Sequence, residues 1–277
     1  MSKLNQPGYR GRIAPSPTGY LHLGHAKTFW STFQRCRKAG GTLIYRNEDI
    51  DFQRCRDEFS QAAMEDLSQL GIHWEEGPFH QSQRIPLFVA ALEKLVALDL
   101  VYPCQASRKL IREHPDTTQS PSGEAIFPKM LRTDTEDHRV PLDLNINWRF
   151  KVPDQVTMSF NDENLGPQTF ESQVDFGDFL IWRKEGMPSY ELAVVVDDIE
   201  MEITEVVRGA DLLVSTARQL LIYQALGSEA PSFFHEKLVL DDSGERLAKQ
   251  KDSLALRKLF QEGHDLDSLQ ELWKARS

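Results

Sequence analysis

The sequence predicts an α/β fold, a parallel sheet linked by crossover helices and interrupted by a smaller α+β insertion. Three observations predict it. Before residue 114, short apolar runs alternate with helix-length amphipathic stretches; residues 145–170 switch to short alternating runs (NINWRFKV, QVTMSF); and after residue 190 longer patterns return. Parallel strands need a crossover between them, so a strand, tight loop, helix and second strand in close succession open such a sheet.

Taken in order, Tyr9–Ala14 reads as the first strand, Gly24–Arg37 as its crossover helix and Thr42–Arg46 as the second strand. Asp57–Leu70 and Pro86–Leu98 carry helical spacing, and residues 114–140, rich in Pro, Ser, Thr and Asp, read as a long irregular segment. Beyond the insertion the parallel pattern is expected to resume. Leu192–Val196 is an apolar run, Ile203–Val207 is a strand entering Arg208-Gly209, and Ser215–Leu226 is a helix with Ser215 or Thr216 as its cap. The expected boundaries are 1–103 and 189–277 for the two halves of the main domain and 104–188 for the insertion.

The chain has 277 residues, 40% hydrophobic and 27% charged, which is ordinary usage for a domain with a buried core. No apolar run approaches the ~18 residues of a membrane span. The polar start MSKLNQPGYR lacks the features of a signal peptide, so a cytoplasmic location is expected. Cys36, Cys55 and Cys104 are far apart and form no CxxC pair, so they build neither a disulfide framework nor a four-thiolate zinc site. A net charge of −10 argues against non-specific coating of nucleic acid but leaves room for a local RNA-binding surface. Basic clusters at Arg35, Arg37 and Lys38, at Arg54 and Arg56, and at Lys249 and Lys251 suit either phosphates or a solvated helix face.

Two segments carry chemistry. RIAPSPTGYLHLGH, Arg12 to His25, is a strand end, a Pro/Gly-rich turn and two histidines opening a helix. Such a helix start offers unpaired N–H groups and partial positive charge to phosphates, imidazoles can donate to them, and Gly24 lets a flat base approach the backbone. His22 and His25 alone make a weak metal pair, and no GxxxxGK[ST] or GxGxxG motif is present. DDSGERLAKQK, Asp241 to Lys251, is a Gly-containing turn running into a lysine-bearing loop. A mobile ammonium there can close over phosphates as the α-phosphate is attacked.

HLGH resembles the HIGH signature, and RLAKQ a degenerate KMSKS signature, of the class I aminoacyl-tRNA synthetases. RIAPSPTGYLHLGHA, YRNEDID (45–51) and VVRGADLLVSTARQLLIYQALG (206–227) are similar in order and spacing to the glutamyl branch, a likeness running from about Gly11 to Leu259. The resemblance implies a Rossmann-like class I synthetase catalytic domain that uses ATP and Mg2+. It implies a glutamate pocket at Arg12, Ile13, Ala14, Pro15, Ser16, Glu48, Tyr190 and Arg208, with Asp197 and Asp198 organising it from behind. It further implies ATP contacts at His22, Gly24, His25 and Lys249, with His22, His25 and Lys249 as the catalytic groups. The charges agree: arginine forks suit the two carboxylates of glutamate, and Glu48 suits its ammonium.

Only 26 residues follow Lys251, too few for the helical anticodon-binding region of full-length glutamyl enzymes. No anticodon-binding domain is therefore expected, and the chain resembles the truncated paralogues, the glutamyl-Q tRNA(Asp) synthetases. Val194 in YELAVVVDD, where full-length enzymes tend to carry a polar residue, agrees. The resemblance implies transfer of glutamate to the queuosine base at the wobble position of tRNA(Asp), the anticodon stem-loop as partner, and a monomer. Those paralogues often hold zinc in the insertion through a Cys-x-Cys pair and a later Tyr-x3-Cys. Here only Cys104 is present, so no structural zinc is expected and the segment near Phe127–Arg132 must be held by packing. The alternatives are a short glutamyl-tRNA synthetase charging the 3′ end of tRNA(Glu), or a non-catalytic paralogue that binds amino acid or RNA.

Overall fold

The computed structural model describes residues 8–133, 142–240 and 254–276. Along the chain run β1 (Arg10–Ile13), α1 (Leu23–Ala39), β2 (Thr42–Asn47), α2 (Asp57–Gln69), β3 (Glu76–His80), α3 (Ile85–Ala97), β4 (Val101–Cys104) and α4 (Arg108–Glu113). There follow β5 (Asn147–Phe150), β6 (Thr157–Asp162), β7 (Gly166–Glu171), β8 (Phe179–Arg183), β9 (Met187–Pro188), α5 (Tyr190–Glu200), β10 (Glu205–Gly209), α6 (Leu213–Leu226), β11 (Ser232–Glu236), α7 (Leu256–Gln261) and α8 (Leu266–Ala275). The chain groups into two compact units: Met1–Gln83 with Glu202–Leu212 and Pro231–Ser277, and Arg84–Met201 with Leu213–Ala230. The expected insertion, 104–188, lies inside the second unit, which also takes in α3, α5 and α6.

In the first unit β1, β2 and β3 pair in parallel, with Arg12 opposite Ile44 and Ile13 opposite Tyr45. Every residue of β2 from Leu43 to Asn47 is buried, the mark of a parallel strand covered on both faces. β10 and β11 form a second parallel pair, and the N–H of Thr204 donates to the carbonyl of Arg10 (2.9 Å), tying the entrance of β10 to β1. Leu23, Ala26, Phe29 and Cys36 form the inner face of α1 and join Ile13, Leu43, Tyr45 and Leu67 in one apolar core, closed from the far end of the chain by Leu256, Leu269 and Trp273. Gly40 ends α1 in the left-handed conformation (φ 63°), and its N–H donates back to the Arg37 carbonyl.

Two of the basic clusters serve the fold. Arg35 and the Tyr9 hydroxyl converge on the buried carboxylate of Glu205, and Arg37 pairs with Glu75 (2.6 Å). Arg54 pairs with Asp51 (2.6 Å), and Arg56 donates to the carbonyls of Gln53 and Cys55. The Tyr9 hydroxyl is pushed above its ordinary range by burial and by the adjacent Glu205 carboxylate.

The second unit carries an antiparallel sheet ordered β4-β5-β8-β9 and the β6–β7 hairpin. β4, too short for any alternation to show, pairs with β5 from Val101–Phe150 to Cys104–Asn147. One expectation, the cap of α6, is corrected here, and a segment read only as an apolar run gains its structure. The apolar run Leu192–Val196 is helical, the middle of α5, and is buried throughout; a helix apolar all round suits an interior position, where packing outweighs the strand preference of valine. α6 begins at Leu213, so neither Ser215 nor Thr216 caps it: the Ser215 hydroxyl donates to Glu191 (2.9 Å), and Thr216 is fully buried in the helix.

Candidate active site

α1 begins with an interlocked histidine pair. His22 is its N-cap, and its Nδ1 accepts the N–H of Gly24 (3.1 Å), while the Nδ1 of His25 accepts the N–H of His22 (3.2 Å). This reciprocal box satisfies two N–H groups that a helix start would otherwise leave open. It stacks the two rings at 3.8 Å between centroids and, by using both Nδ1 atoms as acceptors, sets the neutral tautomer with the proton on Nε2. Each imidazole is thereby oriented as an Nε2–H donor. A Cβ at Gly24 would lie 3.1–3.2 Å from the His22 ring, so the glycine makes room for the cap itself. Lys249, the third expected catalytic group, lies outside the described residues, as does Lys251. The segments flanking it do not: Val239 packs by Gly24, Leu256 N–H donates to the Leu21 carbonyl (2.8 Å), and Ala255 bridges to His22. Both ends of the lysine-bearing stretch are therefore anchored at the start of α1.

The expected glutamate-binding residues of the first unit gather where β1, β2 and β10 end, the side on which open parallel sheets bind ligands. Arg12 is 4% exposed and donates from Nη1 to the Val207 carbonyl (3.2 Å), and the N–H of Glu48 donates to the Pro15 carbonyl (3.0 Å). Glu48, 7% exposed, pairs with the fully buried Arg46 (3.0 Å). Arg208, 5% exposed, donates from Nε to His235 (3.2 Å), an imidazole sealed from solvent. Pro15 is buried and Ala14 and Ser16 are partly exposed, whereas the side chain of Ile13 is wholly within the core, leaving only its main chain to serve a ligand. Arg46 and His235 were not singled out from sequence. Arg46 had a signal, since it lies two residues before Glu48 and alternate residues of a strand share a face; His235 had none, because it reaches Arg208 only through the β10–β11 register. Three buried guanidiniums and one buried carboxylate thus lie at these strand ends.

The remaining expected residues belong to the second unit. Tyr190 is half-buried at the first position of α5, behind the Ser189 cap that accepts the Leu192 N–H. Asp197 is fully buried and paired with Arg84 (2.6 Å), and Asp198 is buried. Around the single Cys104 of the insertion, Tyr102, Cys104, Ile111 and Phe127 form an apolar cluster joined by Ala106 and Leu131. Beside it the buried Asp178 accepts the Tyr102 hydroxyl (2.7 Å), two N–H groups of Arg132 (both 2.7 Å) and the Val152 N–H (3.0 Å). A lone thiol among apolar groups does not fit a zinc ion, and no group of three or more His, Cys, Asp or Glu able to hold a metal occurs among the described residues.

Comparison with known proteins settles the family. Residues 9–270 match the model of the class I tRNA synthetases (E and Q), catalytic domain. A glutamyl-Q tRNA(Asp) synthetase of Nitratidesulfovibrio vulgaris is 41% identical over 271 residues, covering 92% of this chain and 82% of its own. The chain belongs to the glutamyl-Q tRNA(Asp) synthetase family. Its membership makes it a ligase of the aminoacyl-tRNA synthetase type. A second glutamyl-Q tRNA(Asp) synthetase, from Burkholderia cenocepacia, is 39% identical over 254 residues, covering 91% of this chain and 84% of its own. Among solved structures, a glutamate tRNA ligase of Elizabethkingia meningosepticum in complex with its amino acid superposes with a TM-score of 0.72 at 27% identity, covering 93% of this chain. A glutamate-tRNA synthetase of Elizabethkingia anophelis superposes at 0.73 with the same identity. The chain spans about half of each of these solved proteins, 54%.

Proposed function

We propose that this chain activates L-glutamate with ATP and passes the glutamyl group to the queuosine base at the wobble position of tRNA(Asp). The observation that carries the reading is the buried cluster of Arg12, Arg46 and Arg208 with Glu48 at the strand ends, in the same unit as the stacked histidine pair. The names of the relatives, glutamyl-Q tRNA(Asp) synthetases, support the acceptor part of the reading. A glutamate carboxylate oxygen attacks the α-phosphorus of ATP, the bond to the bridging oxygen breaks, and pyrophosphate leaves. The carbonyl of the mixed anhydride is then attacked by a hydroxyl of the cyclopentene ring, AMP departs, and an ester remains. No side chain becomes covalently attached. Arg12 and Arg208 hold the carboxylates and Glu48 the ammonium, while His22 and His25 meet the growing phosphate charge with Nε2–H donors already in place. Lys249 would add an ammonium for the phosphates, and Mg2+ bound with ATP would supply further neutralisation of phosphate charge.

ATP–pyrophosphate exchange over a panel of amino acids, without and then with tRNA, tests the activation step. Exchange with glutamate alone is the expected result, and silence under both conditions overturns it. Labelled glutamate is then offered to tRNA(Asp) carrying queuosine or guanosine at the wobble position. Incorporation only into the former supports the acceptor, whereas incorporation at the 3′ end of tRNA(Glu) overturns it in favour of ordinary charging.

A further inference from the structure

Arg257, the second residue of α7, closes a ring of contacts around the histidine end of α1, all of it within the first unit. Its Nη2 donates to Glu65 (2.8 Å) and to the Ala62 carbonyl (3.4 Å), its Nε donates to Asp66 (3.2 Å), and its guanidinium lies over the ring of Tyr20 (5.5 Å to the centroid). Tyr20 itself meets Phe59 edge-on (5.0 Å between centroids), and the N–H of Arg56 donates to the Pro17 carbonyl (2.9 Å). Phe59, Ala62 and Asp66 fall on one face of α2 by their spacing of three and four residues. That face therefore holds the turn before His22 at one level and Arg257 at the next.

The main chain completes the ring. Leu256 donates its N–H to the Leu21 carbonyl, and Ala255 bridges to His22. Ala255 is also the N-cap of α7 and gives it no side-chain hydrogen bond, so the start of this helix is not fixed by a cap. Arg257 ties it sideways instead, onto a carboxylate that needs it. Asp66 is 2% exposed, its second oxygen meets no hydrogen-bond donor among the described residues, and burial pushes its carboxyl up against the pull of Arg257. A buried carboxylate is costly to leave unpaired, which holds the guanidinium in one place. His22 is thus located from two sides, by the turn that leans on α2 and by the residues that precede Arg257.

We propose that Arg257 is a positioning residue for the activation step: by gripping α2 and Tyr20 at once it holds residues 20–22, and with them the Nε2–H donor of His22, in line for the phosphates of ATP. Arg257 touches no reactant and acts through His22. This rests on the activation reading above, because the phosphates are what the histidine meets.

Arg257→Met alone would strand Asp66, so the variant to use combines Arg257→Met with Asp66→Leu, which leaves an apolar pair. Two measurements are made on the full chain: glutamate-dependent ATP–pyrophosphate exchange alongside calorimetric glutamate binding, and amide hydrogen exchange read residue by residue. The N–H groups of His22 and Gly24, both held by the histidine box, should exchange about tenfold faster or more, while Ile44 and Tyr45 of β2 keep their wild-type protection. Turnover should fall about ten- to a hundredfold, as a misplaced donor predicts, with glutamate affinity within about twofold of wild type. Arg257→Lys, which keeps the charge, should regain part of both. Unchanged protection at His22 and Gly24 overturns the inference, and so does protection lost equally in β2, which would mark a general loosening of the fold. A double variant that turns over like an active wild type overturns this inference alone. Silence of the wild-type chain in the exchange assay, without and with tRNA, overturns the activation reading and this inference with it.

Discussion

Replacing Arg46 by Met should separate what the buried ion pair does for stability from what it does for the ligand. Arg46 is fully buried and 3.0 Å from a Glu48 carboxylate that is only 7% exposed. At an effective dielectric of about 20, two unit charges at that separation attract by about 5 kcal/mol, in line with the roughly 3–5 kcal/mol lost when one partner of a buried pair is removed. Arg46→Met alone therefore removes this pairing from a buried carboxylate and should lower the unfolding free energy by up to about that amount. The double variant Arg46→Met with Glu48→Met removes both charges and should recover most of it, because an apolar pair of similar volume is often neutral or better. Its glutamate-dependent exchange should nevertheless stay lost, since the ammonium partner and one guanidinium are gone. Denaturant unfolding of wild type, both single variants and the double closes the cycle, and exchange kinetics with glutamate read the function. Two single-variant losses that simply add in the double refute the pairing. A double variant that binds and activates glutamate normally refutes the assignment of this cluster to the ligand.

Gly24→Ala should spare the fold and impair the function. The added methyl presses within 3.1–3.2 Å of the His22 ring, while alanine is the better helix former by up to about 1 kcal/mol. Melting temperature should stay near wild type while pyrophosphate exchange falls about tenfold or more from misaligned donors, and an unchanged rate in the folded variant would falsify the role given to this cap. Acid sensitivity should be visible at Glu76: its hydrogen bond to Arg10 holds its carboxyl below the usual carboxylate range, with Glu75 also lowered, against the pull of burial, by the Leu43 N–H and Arg37. Such a contribution is complete above the unfolded value of about 4.3 and disappears as pH falls through the lower folded value. Melting curves of wild type and Glu76→Gln should therefore differ at neutral pH and converge in acid; a constant difference argues against it. Chelators should leave the melting temperature unchanged and metal analysis should find no stoichiometric zinc, whereas Asp178→Asn, which disturbs the link between Tyr102 and Arg132, should destabilise the chain. Bound zinc at one per chain would overturn the packing account.

What could be read directly from the chain was whatever is local. The first strand, crossover helix and second strand follow from hydrophobic periodicity, and the structure places them within a residue or two of the expected ends. The histidine pair could be placed at the start of a helix because HLGH precedes a helical apolar pattern. The absence of a second cysteine near Cys104 pointed to packing, and the cluster around Phe127 is that packing. Where local preference and environment disagreed, sequence reasoning was weaker. The valine-rich run at 192–196 is helical because it is enclosed on all sides, and four residues at 101–104 form a strand only because residues more than 40 positions later pair with them.

The amino-acid sequence by itself determined the family, the parallel start of the fold and the residue types Arg12, Glu48 and Arg208 of the proposed ligand cluster, since each is written in short-range spacing or in motifs. Only the tertiary structure decided that Arg46 neutralises Glu48, that His235 seats Arg208, that the two histidines cap each other through Nδ1, and that Glu191 shares Arg218 with Glu124. Apart from the neighbouring pairs, these groups lie far apart in the chain. Their charges acquire partners only when strand register and helix packing bring them within hydrogen-bond reach and remove the water that would otherwise screen them.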